Sequence, residues 1–586
     1  MEHVKWVWRV WKEEKKFLFF LFFMTLLSTF VTVAYPFIFK ILFDNLNKIL
    51  TSKIKVENPM SEIYRIVYFL LGIGIVRVFS GMYPTLRAFM NYRFEHKLRV
   101  KYFSYILKKD FSFFNNFRTG DIVTRLTDDL SDFPKICWFL CSGIFRALDS
   151  SSKIFFCLSV MFLLNWKLAL FSILPIPLMV AIFYMLSSKL YLSFKMNQES
   201  ISEINNQLEM SFSGIKIIKS YNKENQYNRF FEKALGIRMR TEMDLIKLNS
   251  LIHLIYEYID RIAQIVVILF GGMLVLKGEI SVGTFYAFYT YLSILIYPVL
   301  DLPQLFVSGK QSFVNIDRLE EIKDYPVKTY KSGKGIKIEK IESIEFKEVS
   351  FAYDERNLIL EKLSFNVKKG ERIIIVGQVG GGKSTLLHLL SGFLIPKSGS
   401  ILINGIPIED LDLKNYRDKV GFVLQEPLLF SGTLRENVLF GVDEYEKDDY
   451  EKVLNIVNME EEIKRFKQRD ETILGQRGTS LSGGQKQRIS IARALMKKPQ
   501  LLIFDDITSS LDTGNEKKLW ESLEEFLKDR ITIVVSHRLA TIKYMDKVIF
   551  LNERKAKGCY THEQLYTGEP DYRMFIDKER EWKKEE

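Results

Sequence analysis

A chain of 586 residues has room for three or four ordinary domains, and its composition is uneven: it carries 47 Phe, most of them before residue 320, and a formal net charge of +12. That charge fits basic loops facing anionic lipid, and its scatter, with no basic stripe of interleaved aromatics, argues against a nucleic-acid partner. The four cysteines, Cys137, Cys141, Cys157 and Cys559, show neither metal-ligand spacing nor a disulfide framework, which fits a reducing compartment.

The chain opens with Val4, Trp6, Val7, Trp8, Val10 and Trp11 interleaved with Lys5, Arg9 and Lys12, a pattern that predicts an interfacial segment anchored by aromatics. The run Phe17 to Phe39 contains no charge. As a helix it would be roughly 35 Å long, enough to cross a bilayer. No small-residue cleavage pattern follows it, so it does not read as a cleavable signal.

Six spans are predicted, at 17–42, 64–92, 136–164, 167–188, 250–276 and 283–306. Two connections are very short, at Asn165-Trp166-Lys167 and Lys277-Gly278-Glu279, whereas the links 93–135 and 189–249 are long and rich in Lys and Arg. The positive-inside bias puts the long links, the N-terminus and everything after residue 306 on the cytoplasmic side of the cell membrane.

Charges inside the spans are costly and face a cavity or a partner. Arg146, Asp149 and Lys153 are spaced to share one helix face, Arg77 interrupts the second span, and Glu257, Asp260 and Arg261 sit in the fifth. The near-balance of signs leaves two readings open, ion pairs that order the bundle and contacts to a transported molecule.

After a polar continuation through Arg318, Glu320 and Glu321, residues 324–340 read as a linker, with Pro326, Ser332, Gly333 and Gly335 among several lysines. Then Arg372-Ile373-Ile374-Ile375-Val376 reads as a buried strand. The stretch Gly377-Gln378-Val379-Gly380-Gly381-Gly382-Lys383-Ser384-Thr385 follows it and precedes an apolar helical run, the context of a phosphate-binding loop. Glycines let backbone N–H groups turn towards phosphates, the helix N-terminus adds a favourable partial charge, and Lys383 supplies a point charge. Alone, the loop specifies only a nucleoside triphosphatase.

Leu481-Ser482-Gly483-Gly484-Gln485 comes about a hundred residues later. Next is the apolar run Leu501-Leu502-Ile503-Phe504 ending in Asp505-Asp506, then Ser509-Ser510-Leu511-Asp512, and His537 after a further apolar run. In this order the motifs resemble the ATPase domain of ABC transporters. The six spans resemble the membrane half of ABC exporters, and the stretches Phe113–Asp129 and Ser213–Tyr221 look like the segments that couple exporter helices to the ATPase. The resemblance covers essentially the whole chain. It implies a polytopic α-helical membrane domain of six spans (1–323), a linker (324–340) and a P-loop α/β ABC ATPase domain (341–586).

The resemblance also implies roles. Tyr353 would stack on adenine, and residues 377–385 (Gly377, Gln378, Val379, Gly380, Gly381, Gly382, Lys383, Ser384, Thr385) would cradle ATP phosphates. Ser384, Gln425 and Asp505 would hold Mg²⁺, with Gln425 also touching the attacking water, and His537 would contact the γ-phosphate. Ser482, Gly483, Gly484 and Gln485 would reach ATP bound by a second half-transporter, facing head to tail. The family usually has Glu where this chain has Asp506, and an aspartate is one methylene short of the attacking water. Gln476 in Gly475-Gln476-Arg477-Gly478 likewise stands where many exporters have Glu. Two assemblies fit: a heterodimer in which this chain supplies the degenerate site, and a homodimer that hydrolyses slowly. Drug-like amphiphiles, lipids and peptides are all admissible cargo, and a gated regulator or channel without pumped cargo is the alternative class.

Overall fold

The structure, a computed structural model, describes residues 2–50, 59–131, 135–327, 335–354, 357–475 and 481–585. Contacts gather the chain into two units: Met1–Lys108 with Phe117–Tyr325, and Lys109–Asn116 with Pro326–Glu586. Residues 476–480, which include Gln476, Arg477 and Gly478, lie outside the described residues.

The first unit is helical. Among the described residues, five helical stretches are long and apolar enough to cross a membrane: Lys15–Asn47, Val67–Leu107, Thr119–Leu164, Glu224–Leu276 and Val282–Val299. They correspond to five of the six predicted spans. The remaining one, 167–188, runs through the helices Trp166–Ile173 and Pro175–Ser213, and several of its side chains lie outside the described residues. Asn165 caps the first of these helices by accepting from Leu168 N at 3.0 Å, which explains the very short link before it. Pro175 opens the second at a position where a missing N–H costs nothing.

The N-terminal helix Glu2–Lys12 divides its aromatics. Trp8 stays exposed, as an interfacial anchor requires, whereas Trp6 is buried and donates to Glu320 Oε1 (3.1 Å), and Trp11 donates to the Leu140 carbonyl (2.9 Å). The helix Val282–Asp324 is clamped to residues 119–131 by charge. Arg125 bonds Asp121 Oδ2 (2.8 Å) and Glu321 Oε2 (2.6 Å), and Arg318 bonds Asp121 Oδ1 (2.7 Å) and Asp129. Arg125 and Asp129 are buried, so the pairing keeps two charges that water has lost from standing alone.

The charges within the spans are mostly paired. Arg146 forks onto both oxygens of Asp301 at 3.0 and 3.1 Å, Lys153 meets Asp149 at 2.8 Å, and Asp260 accepts from Gln264 at 2.8 Å.

The second unit holds two larger sheets. The four-stranded antiparallel one runs β2-β1-β4-β5, from β1 (Ser343–Ala352), β2 (Leu358–Lys368), β4 (Ser398–Ile403) and β5 (Ile406–Pro407). The six-stranded one runs β12-β11-β3-β10-β9-β6, from β3 (Arg372–Gly377), β6 (Val420–Val423), β9 (Leu501–Asp505), β10 (Ile531–Val535), β11 (Lys547–Asn552) and β12 (Lys555–Tyr560). All its pairings are parallel except that of β12, at the edge. Every residue of β9 and β10 is buried, as expected of parallel strands covered on both faces. A short pair, β7 (Gly432–Thr433) and β8 (Ile473–Leu474), completes the strands. Residues 335–340, read from sequence as linker, already join this unit. Ile336 N donates to Asp410 O (2.7 Å), and Ile338 N to Asn415 Oδ1 (2.9 Å).

Candidate functional site

Parallel register brings four strand ends to one edge of the larger sheet. Val423 lies beside Phe504, and Val535 lies beside both Asp505 and Ile375. Each chain leaving its strand therefore delivers its next residues to the same edge, the place where open α/β sheets bind ligands. Gly377 closes β3, Gln425 follows β6 by two residues, Asp505 and Asp506 end β9, and His537 follows β10 by two residues. Gln425 and His537 are exposed there, and among the described residues neither bonds to Asp505 or Asp506.

The glycine loop needs its glycines. Gly382 sits at φ +87° as the cap of the helix Lys383–Leu390, and a Cβ there would stand 2.7 Å from Leu360 Cδ2. Gly377 passes so close to β11 that a Cβ would stand 2.3 Å from the Leu551 carbonyl oxygen. Gly380 also has positive φ, Gly381 N donates to Gln378 O (3.1 Å), and Val379 stands exposed. Lys383 is buried and folds back on this loop, donating to the Gly377 and Gln378 carbonyls, each at 2.9 Å. Burial lowers its pKa, while Asp505 and Asp506 oppose that shift.

Four predicted groups share one small volume: Lys383, Ser384, Asp505 and Asp506. Burial pushes the Asp505 carboxyl above its ordinary range, and the Ser384 hydroxyl, which donates to it, pulls the other way. Asp506 is buried in the left-handed region at φ +48°, its N–H given to Val535 O at 2.8 Å. Aspartate tolerates that conformation better than most residues. Its Oδ1 is buried and accepts nothing among the described residues. An orphaned acceptor of this kind costs about 1–3 kcal/mol, which a ligand's donors or cation can recover.

Tyr353 is exposed beside this loop. Its hydroxyl lies 3.2 Å from Thr385 Oγ1 and its ring meets Phe351 edge-on at 5.0 Å, leaving it free to offer a face to a planar base.

The Ser482–Gln485 segment is a reciprocal helix cap. Gln485 N donates to Ser482 Oγ (3.3 Å), and Ser482 N donates to Gln485 Oε1 (2.9 Å). Gln485 Nε2 also donates to Glu462 at 2.9 Å, so its side chain is committed to holding the helix Gly483–Met496 in place. Gly483 and Gly484 rest against Ser510 and Leu511, where a Cβ would meet atoms at 3.4 and 3.1 Å. This packs the Ser509–Asp512 segment directly beneath the cap, while Asp512 caps its own helix by accepting from Asn515 N (2.8 Å).

Sequence reasoning selected His537 and passed over its neighbour. Arg538 bonds the buried Glu516 (2.7 Å) and the Ser509 carbonyl (3.3 Å), tying the histidine loop to Ser509–Asp512. The available signal was an arginine directly after the histidine and a glutamate four residues into the helix that Asp512 begins. His388, on the helix that starts at Lys383, was also missed. Its ring lies 5.2 Å from Phe111 and 6.1 Å from both Phe393 and Phe422, so Phe111 of the Lys109–Asn116 segment belongs to this unit's core.

A glycine phosphate loop at the edge of a parallel sheet, with a buried carboxylate pair opposite its lysine, defines an ATP-binding α/β domain carried on a helical unit. Residues 18–299 match the family described as "ABC transporter transmembrane region", and residues 360–509 match "ABC transporter". The chain is 33% identical over 488 residues to the ATP-dependent lipid A-core flippase of Desulfotalea psychrophila, covering 82% of this chain and 83% of that protein. It is 29% identical over 565 residues to the Bacillus subtilis protein described as "Uncharacterized ABC transporter ATP-binding protein YknU", covering 94% and 93%. Its fold matches a bacterial Atm1-family ABC exporter solved with ATP bound, at TM-score 0.81 and 22% identity over 96% of this chain and 98% of that one.

The chain therefore belongs to the ABC transporters, as a half-transporter of the exporter type with both domains fused. It is a multi-pass membrane protein and an ATP-hydrolysing translocase whose ATPase domain binds ATP, and exporters of this type act as dimers with another ABC subunit.

Proposed function

We propose that this chain is the ATP-binding/permease subunit of an exporter of amphiphilic cargo, and that its own nucleotide site is the weakly hydrolysing one of an unequal pair. The observation that carries the reading is Asp506. Its carboxylate is short, buried and held by a left-handed backbone, while the Ser482–Gln485 cap is complete. In a head-to-tail dimer the cap serves the other subunit's ATP, so an intact cap beside a poor base suits a partner with the stronger hydrolytic site.

In this reading Tyr353 stacks on adenine, residues 377–385 hold the phosphates, and Lys383 turns from its two carbonyls towards the γ-phosphate. The oxygens of Ser384, Asp505 and Gln425 suit Mg²⁺, a hard cation that prefers few protein ligands and keeps water and phosphate ligands. Among the described residues no cluster of His, Cys, Asp and Glu could hold a metal unaided, which fits a cation that arrives with its nucleotide. Mg²⁺ supplies charge neutralisation to the phosphates when bound. Asp506 reaches the attacking water poorly, and Gln425 and His537 orient the water and the γ-phosphate from the neighbouring strand ends.

Closure of the ATPase pair is passed to the membrane helices through Phe111–Asn116 and, on the partner, through Ile215–Ser220, whose Ile217 and following Tyr221 are exposed here. The N-terminus and ATPase domain face the cytoplasm, and the helices cross the cell membrane. The similarity to a lipid A-core flippase supports lipid-like amphiphiles as one admissible cargo class.

The test is turnover by the purified chain. Alone it should bind Mg²⁺-ATP and hydrolyse it slowly, and co-expression with its partner half-transporter should raise turnover sharply. Fast hydrolysis by the chain alone, abolished by Asp506→Asn, overturns the unequal-pair reading in favour of a homodimer.

A further inference from the structure

Within the first unit, Asp149 is the hub of a buried polar cluster. Its Oδ1 accepts from Thr29 (2.8 Å), and its Oδ2 accepts from Tyr83 (3.0 Å) and Lys153 (2.8 Å). Its two oxygens are therefore occupied. Arg87 lies one helical turn beyond Tyr83, its guanidinium 4.7 Å above the phenol ring. Its Nε and Nη1 are buried and find no acceptor among the described residues. Arg77, on the other side of Tyr83 in the chain, is held only by the neutral hydroxyl of Thr32 among the bonds described for it. Both guanidiniums act electrostatically on Tyr83.

The cluster thus sets three cations, Arg77, Arg87 and Lys153, around one carboxylate. Nearby cations do better: Arg146 has the whole fork of Asp301. A guanidinium withdrawn from water without a counter-charge is among the costliest arrangements in a membrane bundle. It persists where the missing charge comes from a ligand. The planar fork with two open donors matches the two oxygens of a phosphate, sulfate or carboxylate. The exposed apolar side chains along the same helical stretch, Phe79, Met82 and Phe89, suit a hydrocarbon tail.

We propose that Arg87, with Arg77 and Tyr83, forms a subsite inside the helical unit for the anionic headgroup of an amphiphilic cargo. This rests on the proposed export of amphiphiles and narrows their class to those bearing a negative charge.

The test is equilibrium binding to the full chain in phosphatidylcholine nanodiscs without ATP. The probes are dodecyl phosphate and dodecyltrimethylammonium, which share a tail and differ in charge. Dodecyl phosphate should bind at least about tenfold more tightly, a difference of about 1.4 kcal/mol. Arg87→Gln should remove most of that preference, and Arg87→Lys should keep part of it, because an ammonium retains the charge but not the fork. Competition by inorganic phosphate would assign the site to the headgroup alone, and competition from phosphatidic acid in the nanodisc would assign it to a bilayer lipid; both support the subsite. Equal binding of the two dodecyl probes overturns it. So does a preference that survives both Arg87→Gln and Arg77→Gln. The wild-type comparison needs no variant, so a misfolded Arg87→Gln leaves the test decisive. Because no transport is measured, loss of the export reading and loss of the subsite are separate results.

Discussion

Replacing Asp506 by Glu inserts one carbon–carbon bond between backbone and carboxylate, advancing it by about 1.5 Å. The direction is open, because Asp506 Oδ1 is buried without a partner and the neighbouring Lys383, Ser384 and Asp505 already occupy one another. A positioned general base contributes roughly 10²–10⁴-fold to turnover and depends on hydrogen-bond reach. The purified chain should therefore gain at least ~10-fold in turnover on Asp506→Glu, a lower bound on that contribution. Stability should move the other way. Glutamate tolerates the φ of +48° less well than aspartate, and the extra methylene enters a buried site, a change that costs about 1–3 kcal/mol. The assay is phosphate release at saturating Mg²⁺-ATP, with the thermal midpoint measured on the same samples. An unchanged rate, with ATP affinity retained, would refute the argument that reach limits this site.

The remaining predictions concern the cap, the metal-side carboxylate and the first coupling segment. Ser482→Arg should abolish ATPase activity in the assembled transporter, whereas Asp506→Asn should cost much less; equal losses in phosphate-release assays mean equivalent sites. Asp505 has a folded-state pKa raised above its ordinary 3.8 by burial. Its contribution to stability is thus present at low pH and is lost as pH rises through the folded value. Asp505→Asn should accordingly raise the thermal midpoint of the nucleotide-free protein, by an amount that grows from pH 4 to pH 7, and should shrink the midpoint shift caused by Mg²⁺-ATP. A pH-independent difference contradicts this. Phe111→Ala removes the ring that faces His388. ATP binding should persist while tracer export into inverted vesicles falls relative to ATP consumed; parallel loss of both would show that Phe111 serves only to fold the ATPase unit.

Much of this molecule was legible because its motifs are local. A phosphate loop is a continuous stretch whose glycines and lysine do their work within nine residues, between a strand of isoleucines and an apolar helix. Membrane spans declare themselves by length and composition, since a helix in lipid satisfies its own backbone. The aspartate at position 506 could also be read directly as a departure. Five of the spans were recovered on this basis, and the place of Gln425, Asp505 and His537 at the edge of one sheet followed from each closing an apolar run.

What the sequence did not contain were relations between distant residues. Whether Gln485 faces a phosphate or caps its own helix depends on Glu462, which is 23 positions away and holds its amide. Arg125 gave no sign of its bond to Glu321, 196 positions on. Nor does any local pattern say that Arg146 finds Asp301 while Arg87 finds no acceptor, because only the packing of separate helices decides which charges meet. The sequence by itself determined the elements, the nucleotide chemistry and the residue types at the site, since these depend on neighbours along the chain. The tertiary structure alone decided which polar groups are paired and which are left open, because burial and partnership are properties of the folded bundle and sheet.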